Sequence, residues 1–170
     1  MNAEVQQEFL GFVEARSATL MRVAYALSGH QQSAEDLVQI ALERLVVRWR
    51  QVEDPENYAR RIMYHEYLSW WRRWGRREFV TADVDERPAP DDQETTILRR
   101  QSVIAALRQL GPRQRAVLVL RYLEDRSEAE VAEMLGCSVK TVSSQATRAL
   151  AKLRLAYPGP IEPALLGVTA

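Results

Sequence analysis

The sequence predicts an all-α fold of two small helical bundles, the second carrying a helix-turn-helix, joined by an acidic linker. Three observations predict it. Apolar residues recur at three- and four-residue spacings through most of the chain, and no stretch alternates as a strand would. Glycine and proline are sparse, 7 of each among 170 residues, so the breaks fall between long periodic runs. Charge is segregated beneath a net value of zero. Two arginines face six acids over residues 1–43, and nine arginines face four acids over 44–77. One arginine faces seven acids over 78–98, and eleven basic groups face six acids over 99–170. Two basic blocks parted by an acidic one suggest two anion-binding surfaces on separate bodies.

The first helix carries Val5, Phe9, Phe12, Val13, Leu20, Val23, Ala24 and Leu27 on one face and stops at Ser28 and Gly29. Ser33 is expected to cap the second, with Asp36 three residues on reaching back to it. That helix has two apolar stripes, Leu37, Ala41, Leu45 and Trp49, then Val38, Leu42 and Val46, with Ile40 beside the first. So broad a surface belongs either to a central core helix or to one that packs on one side and docks a partner on the other. Asp54 and Pro55 open a third helix, the aspartate as cap and the proline in the first turn, running to Trp74 before Gly75. Its expected buried stripe is Ala59, Met63, Tyr67, Trp70 and Trp74. A second stripe, Tyr64, Leu68 and Trp71, lies beside Arg60, Arg61, Arg72 and Arg73. The text EFVTADVDERPAPDD, residues 78–92, has prolines, acids and no helical period, and reads as a linker. Helical patterning resumes near Thr96, breaks at Gly111 and Pro112, and resumes over 113–123. Two short helices and a long final one follow, ending at Pro158, Gly159 and Pro160.

The most specific motif is SEAEVAEMLGCSVKTVSSQATRALAKLR, residues 127–154. Ser127 and Glu130 form a capping box, and Val131, Ala132 and Leu135 supply a packing face. Gly136 supplies a positive φ, and Ser138 caps the next helix, whose Val139, Val142, Ala146, Leu150 and Leu153 face inward. A small residue, a glycine four later and a β-branched residue six after that is helix-turn-helix spacing. The second helix of such a pair enters the major groove with its N-terminal residues leading. Lys140, Thr141, Ser144, Gln145 and Arg148 are then the outward groups. Lys140 and Arg148 suit phosphates, Gln145 an adenine edge, and Thr141 or Ser144 several base edges.

The second motif is NYARRIMYHEYLSWWRRWGRR, residues 57–77, in which aromatics alternate with arginines. That chemistry suits unpaired bases, since stacking contributes about 1–3 kcal/mol per base while arginines hold the backbone. Trp70 and Trp74 read better as core, and Tyr64 and Trp71 as stacking surfaces. Together the two motifs suggest a protein that binds duplex DNA at one end and melted DNA at the other.

AEDLVQIALERLVVRW, NYARRIMYHEYLSWWRR and LGPRQRAVLVLRYLEDRSEAEVAEMLGCSVKTVSSQATRALAKLR, in that order, resemble bacterial sigma-70 factors of the extracytoplasmic-function group, and its actinobacterial sigma-E-like branch most. The resemblance spans about residues 5–157. It implies sigma region 2 over 1–77, an acidic linker over 78–98, sigma region 4 over 99–157 and a tail over 158–170. It also implies a factor that binds core RNA polymerase and directs promoter-specific initiation. Helix 35–49 would dock on the clamp helices of the largest polymerase subunit through Asp36, Gln39, Ile40, Glu43 and Arg44, with the flap of the second-largest subunit as a further contact. Residues 52–77 would read and melt the −10 element. The loop 52–58, ending in Asn57 and Tyr58, would receive a flipped base, and Arg60, Arg61, Tyr64, Trp71, Arg72 and Arg73 would hold the strand. The helix-turn-helix, 127–146 with the turn that follows, would read −35 through Ser138, Lys140, Thr141, Ser144, Gln145 and Arg148. An anti-sigma partner is plausible for the family.

Other classes are disfavoured. One cysteine gives no intramolecular disulfide framework, which fits a reducing cytoplasm. The first residues show no signal peptide, and no apolar run reaches the roughly 18–20 residues of a membrane span. His30, His65 and Cys137 are isolated, so no metal site, cofactor or catalytic set is expected. A stand-alone dimeric helix-turn-helix regulator would leave the aromatic–arginine helix unused, and an adaptor binding acidic proteins would leave the recognition helix unused. Overall neutrality, unusual for a chain that binds DNA alone, suggests that linker acids compete with DNA for the basic blocks.

Overall fold

The computed structural model describes residues 2–74 and 92–160. Among them all regular structure is helical: α1 (Ala3–Ser28), α2 (Gln31–Arg48), a 3-10 turn (Trp49–Gln51), α3 (Pro55–Trp74), α4 (Asp92–Arg108), α5 (Pro112–Leu118), a π-helical turn (Val119–Leu123), α6 (Glu128–Leu135) and α7 (Val139–Ala156). Most of the expected linker and the last ten residues lie outside the described residues. The linker's expected end does not: residues 92–98 are already helical. After α6 there is one long helix, because the recognition segment and the final helix are continuous in α7.

In the first half, the Asn2 side chain accepts a hydrogen bond from the Val5 amide, and Gly29, at φ 75°, ends α1 in the left-handed conformation. The expected Ser33 cap is not used. α2 begins three residues earlier than that cap implies, at Gln31 after His30, so Ser33 lies within the first turn. Asp54 caps α3 as expected, accepting from the Asn57 amide at 3.0 Å. α2 packs between α1 and α3, with Leu37, Ala41 and Leu45 fully buried, and Trp49 closes the far end by packing edge-on to Phe9, 5.3 Å between centroids.

In the second half, Ser127 and Glu130 make both bonds of the capping box, Gly136 adopts φ 67°, and Ser138 accepts from the Thr141 amide. These three local devices fix α6 against α7, as the motif spacing requires. Ala149 joins Val142, Ala146 and Leu153 in the buried face of α7, while Leu150 is half-buried. Val139, expected to face inward, is 47% exposed.

The halves are not separate bodies in this arrangement: one apolar core runs through both. Two arginines of the second half serve the end of α1. The last carbonyls of a helix have no partner within it, and that end carries partial negative charge. Arg115, buried, donates from Nη1 to the Leu27 carbonyl at 2.7 Å and from Nε to the Leu107 carbonyl at 2.7 Å. Arg108 donates to the carbonyl of Gly29.

Candidate nucleic-acid and polymerase interfaces

Three helix faces carry the residues singled out from the sequence. On α2, Asp36, Gln39, Glu43 and Arg44 are exposed and Ile40 is half-buried. Spacings of three and four put Asp36, Gln39, Ile40 and Glu43 on one face. Val47, four residues beyond Glu43, continues it at 79% exposed. An apolar centre of Ile40 and Val47 rimmed by acids is thus presented to solvent. Arg44 leans towards α3 and pairs with Glu66 at 2.6 Å. Val47 belongs to neither of the two apolar stripes read from the sequence, of which Val46 ends the second.

On α7, Lys140, Ser144 and Arg148 are exposed, Gln145 and Thr141 are half-buried, and the Ser138 and Thr141 hydroxyls meet at 2.8 Å. Ser138 and Thr141 are therefore partly taken up by the cap, which leaves Lys140, Ser144 and Arg148 as the unencumbered groups at the leading end. Val139, exposed beside Lys140, adds an apolar tip of the kind that contacts a thymine methyl.

On α3 the arrangement differs from expectation. Arg61, Arg72 and Arg73 are exposed, while Asn57, Tyr58 and Trp71 are half-buried. Trp74, assigned to the buried stripe, is 60% exposed, and Trp70 is only half-buried. The buried stripe continues instead through Ile62 and Tyr64. Tyr64, expected to offer a stacking face beside the arginines, is fully buried and donates its hydroxyl to Glu124 Oε2 at 2.8 Å. The physical reason is the second half, which covers this side of α3. Trp71 and Arg72 border a cleft of about 330 Å³ that also touches His65, Pro112 and Arg113, where α3 meets α5.

Glu124 is the centre of that cover. The π-helical turn brings its amide to the Val119 carbonyl at 3.0 Å, and Asp125 follows at φ 51°, an irregular corner that aims the glutamate at α3. Its side chain is 3% exposed, with Arg60 Nε at 2.6 Å from Oε1. Arg60 also pairs with Glu56 at 2.7 Å, which holds Arg16 at 3.2 Å. Burial pushes the Glu124 carboxyl above its ordinary value of 4.5, and Arg60 opposes that shift. Burial, with Glu124 second, pushes the Tyr64 hydroxyl well above 10.0. Further along the seam, His65 Nε2 lies 3.0 Å from the Met134 carbonyl of α6. Neither Glu124 nor Arg115 was singled out from the sequence. No group of three or more histidine, cysteine or acidic side chains suited to a metal occurs among the described residues, and no described helix is long and apolar enough to cross a membrane.

Comparisons with known proteins bear on both halves. A family model described as Sigma-70 region 2 matches residues 12–77, and one described as Sigma-70, region 4 matches residues 100–153. The RNA polymerase sigma-E factor of Streptomyces coelicolor is 39% identical over 150 residues, covering 86% of this chain and 84% of that protein. The ECF RNA polymerase sigma factor SigE of Mycolicibacterium smegmatis is 35% identical over 151 residues, 84% of this chain and 58% of that one. Among solved structures, the sigma factor RpoE in complex with the anti-sigma factor NepR, from Bartonella quintana, matches with a TM-score of 0.69. Its identity is 24%, and the match covers 91% of this chain and 99% of that one, a likeness of fold.

Proposed function

This chain belongs to the sigma-70 family of RNA polymerase factors, and we propose that its two helix groups divide promoter recognition between them. The protein is a sigma factor: it binds core RNA polymerase and promoter DNA and directs promoter-specific initiation. One observation carries this. Matches to sigma region 2 and sigma region 4 lie in order on the two helix groups, the second built around a capped helix-turn-helix. The division assigns residues 1–77 to polymerase docking and −10 reading, 78–98 to the linker and 99–157 to −35 reading. Residues 158–170 are a tail.

Each face has a role in this division. The α2 face, Asp36, Gln39, Ile40, Glu43 and Arg44 with Val47 added, docks on the clamp helices of the largest subunit. Its exposed apolar centre supports that role, since a solvated helix gains nothing from Val47 at 79% exposure. The second half meets the flap of the second-largest subunit. On α3, Arg61, Arg72 and Arg73 hold the phosphates of the opened strand while Trp71 and Trp74 stack on its bases. Asn57 and Tyr58 border the loop that takes up a flipped base, whose extrusion costs a few kcal/mol. On α7, Lys140 and Arg148 fix register on the −35 phosphates, with Ser138, Thr141, Ser144 and Gln145 at the base edges. The chemistry of initiation belongs to the polymerase, and the factor acts in the cytoplasm with it. An anti-sigma partner, carried over from the family resemblance, would act on the free chain.

Run-off transcription with purified core polymerase and genomic promoter fragments tests the assignment. A discrete set of promoter-specific transcripts is expected. None, under conditions where a control sigma factor works, overturns it.

A further inference from the structure

The side of α3 that carries Arg60 and Tyr64 is already occupied, and its occupant is a carboxylate from the other half of the molecule. A carboxylate and a phosphate diester make the same demands on a guanidinium: negative charge, oxygen acceptors and close approach. Glu124 meets them at 2.6 Å from Arg60 and 2.8 Å from the Tyr64 hydroxyl. Glu56, the second carboxylate on Arg60, belongs to α3 itself and cannot leave. Glu124 can leave, because it arrives on a corner 60 residues away in sequence.

We propose that Glu124 is an internal substitute for a DNA phosphate: in the closed molecule it fills the anion position formed by Arg60 and Tyr64, and the opened promoter strand takes that position when the second half swings away. The inference rests on the sigma-factor reading and extends it to regulation of the same α3 face. It relocates the autoinhibition expected of the linker acids to a carboxylate whose partners are visible.

Three features of the seam support release. Ion pairs hold buried surfaces together poorly compared with apolar packing of the same volume, since each charge gives up its hydration on closing and regains it on opening. Around Glu124 the charged neighbours are Arg60, Arg126 and Glu56, all of which can be rehydrated. Arg115 and Arg108 meet α1 through carbonyls that water can satisfy equally well. The corner bearing Glu124 is held from its own half, by Val119 and Leu120 carbonyls, so it survives opening intact.

The test uses the full chain without polymerase and a labelled single-stranded oligothymidylate of about 20 nucleotides, titrated at fixed salt. Glu124→Ala empties the position, removing the carboxylate from Arg60 and the acceptor from Tyr64 at once. Binding tighter than wild type by roughly fivefold or more is expected, the gain equalling the rise in the open fraction. Adding Arg60→Ala to Glu124→Ala should abolish the gain. A merely structural role for Glu124 would not produce that reversal. Unchanged affinity with an intact thermal transition overturns the proposal, as does a gain that survives Arg60→Ala. Should Glu124→Ala fail to fold, Glu124→Asp, one methylene short of Arg60, takes its place with a smaller gain expected, and no gain overturns the proposal. Run-off transcription is read in parallel. A wild-type chain that yields no transcript defeats the sigma-factor assignment, while the oligonucleotide titration still decides the role of Glu124.

Discussion

α3 and α7 are both helices whose polar faces are assigned to DNA, yet the structure treats them in opposite ways. On α7 the leading residues Lys140, Ser144 and Arg148 are exposed to solvent. On α3, Tyr64 is fully buried and Arg60 is shared between two carboxylates. The proposed duplex reader is therefore ready-made, and the proposed strand reader is half covered by its own chain. Duplex DNA is always available, so a rigid reader loses nothing by being open. Single strands exist only after melting, and a basic, aromatic face left bare would hold any unpaired nucleic acid it met.

The most direct way to break this contrast is to loosen the seam. Arg115→Ala strands the Leu27 and Leu107 carbonyls in a dry interface and deletes a buried, hydrogen-bonded charge. A loss of about 3 kcal/mol is expected, a fall in Tm of roughly 6–12 °C by thermal denaturation. Hydrogen exchange should show α3 amides losing protection while those of α7, capped and packed within its own half, keep most of theirs. Equal losses in both helices would mean that the seam is not what sets them apart.

A second prediction approaches from the α7 side. Lys140→Ala with Arg148→Ala removes two exposed charges that form no ion pair among the described residues, so Tm should move by less than about 2 °C. Promoter duplex binding should weaken by roughly 10–100-fold, and its salt dependence should flatten by about two ions, as the loss of two phosphate contacts requires. Electrophoretic titration at several salt concentrations reads both quantities. A large change in Tm would show that the polar face of α7 is tied into its own molecule no less than that of α3.

The same contrast explains what the sequence could tell. The helix-turn-helix was legible because its determinants are local: Ser127 with Glu130, Gly136, and Ser138 with Thr141 all act across three residues or fewer. The cover on α3 was not legible. Tyr64 meets a partner 60 residues away and Arg115 one 88 residues away, and periodicity gives a helix's faces without saying what packs on each. Tyr64 and Trp74 exchanged their expected roles for that reason. Ser33 misled because a serine followed by an acid three later fits a cap wherever it stands, whereas the tight Gly29 turn starts α2 at Gln31. Val139 looked inward by spacing, but spacing does not show which positions of a helix a neighbour covers. Val47 was within reach, since it lies four residues beyond Glu43.

The smallest expected effect separates the two regions by the sign of a pH dependence. Glu130 accepts the Ser127 amide at 2.7 Å, and that hydrogen bond holds its carboxyl below the ordinary 4.5. It supports the α6 cap above that value and withdraws support as pH falls through its own lower one. Glu124 is shifted the other way by burial, so the folded chain binds a proton more readily than the unfolded one. Its contribution is fully present below 4.5 and declines as pH rises towards the raised value. Urea unfolding midpoints measured across pH of about 3–7 should thus respond differently to two substitutions. Glu130→Gln should flatten the limb below 4.5, and Glu124→Gln the limb above it. If both variants altered the same limb, Glu124 would be as solvated as Glu130. The carboxylate on α3 would then be a surface ion pair and not a cover.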